Sequence, residues 1–89
     1  MIQEESMQPL LYPGNLVLVN RLRKGKTGDV IVFENPKKDS SQMYLIKQIV
    51  KEENNRVYVL GLSKIKSIDS RHFGWIDKKS IIGKMIAKL

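Results

Sequence analysis

The feature that most limits what this chain can become is the length and period of its apolar stretches. None runs beyond about eight residues, nearly all alternate at period two, and each is closed by glycine, proline, asparagine or aspartate. Short alternating runs bounded by turn residues read as β-strands. Residues 16–22 ("LVLVNRL") form the first, with Leu16, Leu18 and Leu22 on one face and Val17 and Val19 on the other, a pattern that predicts burial on both sides. "GKTGDV" turns the chain into a second strand over residues 30–34, which Asn35-Pro36 and the polar "KKDSSQ" stop. A third strand follows over residues 43–51, and "EENN" closes a hairpin into residues 57–60. "GLSKIKSIDSRHFG" fits neither period and predicts a long ordered loop. Residues 80–89 predict a last strand, since Ile81, Gly83, Met85, Ala87 and Leu89 share a face at period two and Gly83 disfavours a helix interior. The expectation is a single mainly β domain spanning residues 1–89, a small coiled sheet or partly open barrel.

Eighty-nine residues support one modest core. With no cysteine, disulfides and thiolate metal sites are excluded, and no cluster of histidine and spaced carboxylates replaces them, so neither metal nor cofactor is expected. No window reaches the roughly 18 apolar residues that span a bilayer, and "MIQEES" lacks the basic and apolar regions of a leader. A soluble chain without a membrane anchor, at home in the cytoplasm, is the expectation. The net charge of +7 makes an acidic partner worth considering. Its basic residues are nevertheless spread through "RLRKGK", "PKK", "SKIK" and "DKKS", not interleaved with stacking aromatics, which argues for solvated loops over a nucleic-acid footprint.

Two residues invite chemistry. Ser6, in "ESMQPLLYPG" ahead of the first strand, is either turn chemistry or a nucleophile, and a nucleophile needs a base. The sole histidine, His72, sits between Arg71 and Phe73 in the irregular segment, a poor place for that base. A lysine can serve only when neutral, which requires its pKa to fall by roughly three units, about 4 kcal/mol, through burial. Among twelve lysines, Lys47 alone stands mid-strand on an apolar face, with Met43, Leu45 and Ile49. Patterning admits two readings of it: buried and neutral, or on an edge strand and snorkelling to water.

Taken in order, three blocks resemble the signal peptidase I family of Ser–Lys peptidases. "SMQPLLYPGNLVLVNR" looks like the nucleophile box, "GDVIVFENP" leading to "YLIKQIV" like the strand pair that carries the base lysine, and "GLSKIKSIDSRHFG" like the final box, with Gly61, Ser67, Asp69, Ser70, Arg71 and Gly74 at matching spacing. The resemblance implies a mainly β catalytic core of the signal peptidase type and a precursor protein bound as an extended peptide. It implies Ser6 as nucleophile, Lys47 as general base, the Ser6 backbone N–H as an oxyanion donor, Ser67 as the residue orienting the lysine, and Asp69 with Arg71 as a bracing ion pair. Met7 and Pro9 would shape the nucleophile turn, with Met7 near the substrate pocket; a plain core role for Met7 stands beside that.

The chain departs from the pattern at several positions. Glu4 stands two residues before Ser6, where relatives often carry a small hydroxyl; Asn15, Leu10, Gln48 and Leu62 replace the usual aspartate, threonine, arginine and acidic residue. An N-terminal anchor and an inserted segment before the final box, typical of the membrane enzymes, are not found in these residues. A short chain of this kind looks most like the nickel-type superoxide dismutase maturation proteases, which remove a leader from the dismutase precursor. The alternatives are the soluble catalytic part of a membrane signal peptidase, or a non-catalytic basic β-barrel that binds nucleic acid or protein.

Overall fold

The second strand anchors the sheet because both of its faces are apolar. In the computed structural model, which describes residue 7, residues 14–63 and residues 68–89, β2 (Val30–Glu34) lies between β3 (Tyr44–Glu53) and β6 (Ile81–Lys88). β4 (Arg56–Leu60) pairs with β3, a two-residue β5 (Ile76–Asp77) pairs with β4, and β1 (Val17–Asn20) pairs with β6. All pairings are antiparallel, and the order β1-β6-β2-β3-β4-β5 makes one open six-stranded sheet. The mainly β architecture expected from the strand pattern is the one found.

Alternation divides β2 between two buried clusters. Ile31 and Phe33 join Leu45, Ile49, Val57, Val59, Ile76 and Ile81, while Val30 joins Met7 and Ile46, with Val17, Val32, Leu62 and Met85 packed against them. Successive strand residues point to opposite faces, so each short strand serves both clusters.

Several expected elements change in detail. The first strand is four residues long, and Leu16, Leu18 and Leu22 are exposed, Leu22 at 94%. Burial on both sides fails because the Val17 face packs on the second cluster while the leucine face is left largely to water. Asn20 ends it by accepting the Leu22 amide at its side chain and the Arg23 amide at its carbonyl. Met43 lies outside β3 and is exposed, and the strand runs on to Glu53, so the hairpin turns on Asn54-Asn55 alone with Glu53 paired to Arg56. The final strand forms as expected. A register shift beside Phe33 nonetheless places Ile81 in the first cluster while Met85 packs on the second, dividing the face those residues were expected to share.

Gly83 has a reason to be glycine. A Cβ there would lie 2.6 Å from the Asn20 carbonyl oxygen and 2.7 Å from Val19 Cγ1, where β1 crosses close to β6.

The irregular segment contains structure that its period did not reveal. One turn of helix, α1 (Ser70–Phe73), is capped by Asp69, whose side chain accepts the Arg71 amide, and Phe73 packs on the first cluster edge-on to Phe33 at 6.2 Å. β5 and a short 3-10 turn (Lys78–Ser80) then lead into β6.

Candidate active site

Lys47 occupies the middle of β3, paired with Ile31 of β2 and flanked at i−2 and i+2 by the core residues Leu45 and Ile49. It is 1% exposed, among the largest fully buried side chains described. Of its two sequence readings, the buried one holds: β3 is interior to the sheet, between β2 and β4, so there is no edge from which to snorkel. A fully buried lysine is rare, and removal from water acts against the charged form of an amine.

The final box assembles beside it on β4. Gln48 pairs with Leu60, so Lys47 and Gly61 are the next residues along their strands beyond that pair. The Gly61 amide donates to Asp69 Oδ2 at 2.9 Å, and the Val59 amide donates to Ser70 Oγ at 2.9 Å. β5 covers β4 only at Arg56 and Val57. Where it stops, the side chains of Ser70 and Asp69 take over, receiving the amides of residues 59 and 61 as a neighbouring strand's carbonyls would. A buried amide must find an acceptor, and these two residues supply it.

Asp69 is fully buried and heavily engaged. Besides Gly61 it receives the Arg71 amide, Arg71 Nε at 3.0 Å on Oδ1 and Arg71 Nη2 at 2.9 Å on Oδ2, a two-pronged guanidinium–carboxylate contact. The hydrogen bond to Asp69, reinforced by its charge, raises the Arg71 pKa above the ordinary arginine range; partial burial opposes the shift and Tyr58 adds slightly to it. The ion pair therefore ties both ends of a two-residue spacing to one carboxylate. His72 closes the turn by accepting the Asp69 amide at Nδ1, 3.3 Å away. It is a cap here, on a residue whose side chain is half exposed.

Met7 is completely buried, sharing a cluster with Val30 and Ile46. Its burial fits the core role open to it. Ser6 with its backbone N–H, Pro9 and Ser67 lie outside the described residues, as does Glu4. Two of the departing positions have plain structural uses: Gln48 Nε2 donates to the Gly28 carbonyl at 3.1 Å, and Leu62 packs against the second cluster. Ser70 was not singled out from the sequence for any role of its own. Its sequence signals are its place in the final box and directly after the capping aspartate, and its 3% exposure could not be read from a segment without periodicity.

A buried lysine on an interior strand, with an Asp-Ser-Arg turn latched to the strand beside it, suits acyl-transfer chemistry. A family model described as signal peptidase, peptidase S26, matches residues 1–52 and 51–89, which together cover the chain. The chain belongs to the peptidase S26 signal peptidase family. A comparison with curated proteins found no match. S26 membership implies serine peptidase activity on a protein substrate, and the open antiparallel sheet is consistent with an S26 catalytic core. Among the described residues no helix is long and apolar enough to cross a membrane.

Proposed function

We propose that this S26 peptidase is a Ser–Lys endopeptidase in which Lys47 serves as the base for Ser6, and that it makes one limited cut in a precursor bound as an extended peptide. The observation that carries the reading is the burial of Lys47 at 1% exposure on an interior strand, the environment in which a lysine can be neutral at working pH. A second observation supports it: Met7, which follows Ser6 in the chain, shares a buried cluster with Ile46, which precedes Lys47.

Neutral Lys47 Nζ takes the Ser6 hydroxyl proton as Oγ bonds to the scissile carbonyl carbon. The carbonyl oxygen becomes an oxyanion, with the Ser6 backbone N–H as one donor. Collapse expels the amine, which takes the proton back from Lys47 and leaves an acyl-serine. A water then gives a proton to Lys47 as its oxygen bonds to the ester carbon, and collapse breaks the bond to Ser6 Oγ, which takes that proton back from Lys47 as the acid product departs. In this scheme Ser67 orients the lysine, and the Asp69–Arg71 pair holds the turn that carries it. The "DSRHFGWIDKKSIIGKM" block favours removal of the leader from a nickel-type superoxide dismutase precursor as the specific task. The nickel would then belong to the substrate.

Wild-type protein, S6A and K47M are incubated with that precursor and the new amino terminus is identified by mass spectrometry. Cleavage by wild type, with loss of at least a thousandfold in each variant, is the expected result. Equal cleavage by the variants would remove the dyad. Cleavage of other precursors but not this one would remove the dismutase assignment alone. Salt-sensitive nucleic-acid binding without peptide turnover would instead favour a non-catalytic barrel.

A further inference from the structure

The peptidase reading leaves the basic run "RLRKGK" without a task, yet the fold gives part of it a shape. The loop between β1 and β2 borders an open cavity of about 440 Å³ lined by Arg23, Lys24, Lys26 and Lys84, with Asp29 the one carboxylate. Four cations against one anion leave it strongly positive.

The loop is fixed in place. Lys24 Nζ donates to the Ile81 carbonyl at 2.8 Å, the Lys26 amide donates to Asp29 Oδ2 at 2.8 Å, and Lys84 Nζ lies 3.5 Å from the same oxygen. The Gly28 amide donates to the Ile49 carbonyl and the Ile49 amide to the Asp29 carbonyl, stitching the loop to the first residue beyond the β2–β3 pairing. Gly25, at φ +86°, sits where a Cβ would be 2.9 Å from Ile31 Cγ2, so the backbone lies directly on the core. With its backbone and the Lys24 and Lys84 ammonium groups already placed, the site binds without first ordering the loop.

Its place relative to Lys47 follows from the register. Ile31 pairs with Lys84 on one side and with Lys47 on the other, which sets the three in one row on one face of the sheet. Two strand spacings separate Lys84 from Lys47, roughly 10 Å between backbones, and because Gly25 lies on the buried Ile31 between them, a bound peptide reaches from one to the other around the loop rather than along the row. Resting on the peptidase reading above, we infer that this cavity receives an acidic side chain of the precursor, a few residues from the bond that is cut, and so selects substrates carrying an aspartate or glutamate there. Charge complementarity supplies the discrimination, because a lysine at that substrate position would face like charge at close range.

The test measures binding of a fluorescein-labelled tetraglutamate peptide at about 50 mM salt to wild type, to R23E/K26E and to K37E/K38E. The last pair lies on the loop after β2, at the other end of that strand, and carries the same change of net charge. The inference expects R23E/K26E to weaken binding at least tenfold and K37E/K38E less than threefold, with tetraglutamine unbound throughout. Equal weakening by the two variants would show diffuse attraction and overturn it. So would R23E/K26E losing phosphatidylglycerol vesicles or a single-stranded oligonucleotide while keeping tetraglutamate, which would assign the cavity to another partner. K47M must bind tetraglutamate as wild type does. If wild type binds it selectively but cleaves no precursor, the peptidase reading fails and the acidic-peptide site stands.

Discussion

Replacing Ser70 by alanine removes a single oxygen and tests the latch between the final box and the sheet. In the native protein that oxygen accepts the Val59 amide at 2.9 Å inside a residue that is 3% exposed. Alanine leaves the amide buried and unpaired, with little access for a replacing water. A buried donor stripped of its acceptor costs about 1–3 kcal/mol. The exposed methyl-for-hydroxymethyl change in the unfolded chain and the fate of the one-turn helix are smaller effects, so about 2 kcal/mol is the expected loss. In a domain of this size each kcal/mol moves the melting temperature by roughly 4–8 °C, which predicts a fall of about 8–16 °C in calorimetry and an unchanged urea m-value. Native-state amide exchange adds the local signature: Val59 should lose protection beyond the global change, while Ile31, on β2 and so separated from β4 by β3, should follow the global change only. A melting temperature within about 3 °C of wild type, with Val59 still protected, would refute the idea that Asp69 and Ser70 stand in for a missing strand.

Gly83→Ala should destabilise the protein by about 1–3 kcal/mol in urea titration, because its Cβ meets the Asn20 carbonyl oxygen of β1 rather than a movable side-chain end. For Arg71, whose folded pKa is raised, the stabilising contribution is complete below the ordinary arginine range and is lost only as pH climbs through the raised value. Urea unfolding of wild type between about pH 6 and 9 should therefore contain no step from this pair. R71L should lower stability by the same amount at each pH in that window, and a loss that varies across it would point to a different titrating partner. Leu18→Ser should change stability by less than about 1 kcal/mol, since the side chain is already 47% exposed on the edge strand.

How far the sequence carries the structure can be judged from particular elements. β2 was legible because turn residues bracket its apolar run, and the last strand because apolar residues recur in it at period two, although the register shift beside Phe33 divides the face they were expected to share. The leucines of the first strand misled because alternation records two apolar faces but not what packs on each, and here the Val17 face meets a buried cluster while the leucine face does not. Lys47 stood out as a lone cation on an apolar face, yet patterning could not choose between burial and snorkelling. That choice depends on whether β3 is interior, a property of the strand order rather than of β3 itself. The helical turn at residues 70–73 was hidden because one turn is too short to show a period; Asp69 at its N-cap was the readable sign. The side-chain acceptors for Val59 and Gly61 could not be foreseen, because they arise only when β5 stops after two residues.

The central claim is that Lys47 is a neutral amine at the pH where the enzyme works. Its titration can be followed directly by carbon-13 NMR of lysine Cε in wild-type protein, with K47M identifying the resonance. The account predicts one lysine of the twelve with a midpoint well below the others, missing from the K47M spectrum. A Lys47 resonance that titrates with the surface lysines, near the ordinary lysine value, would contradict it.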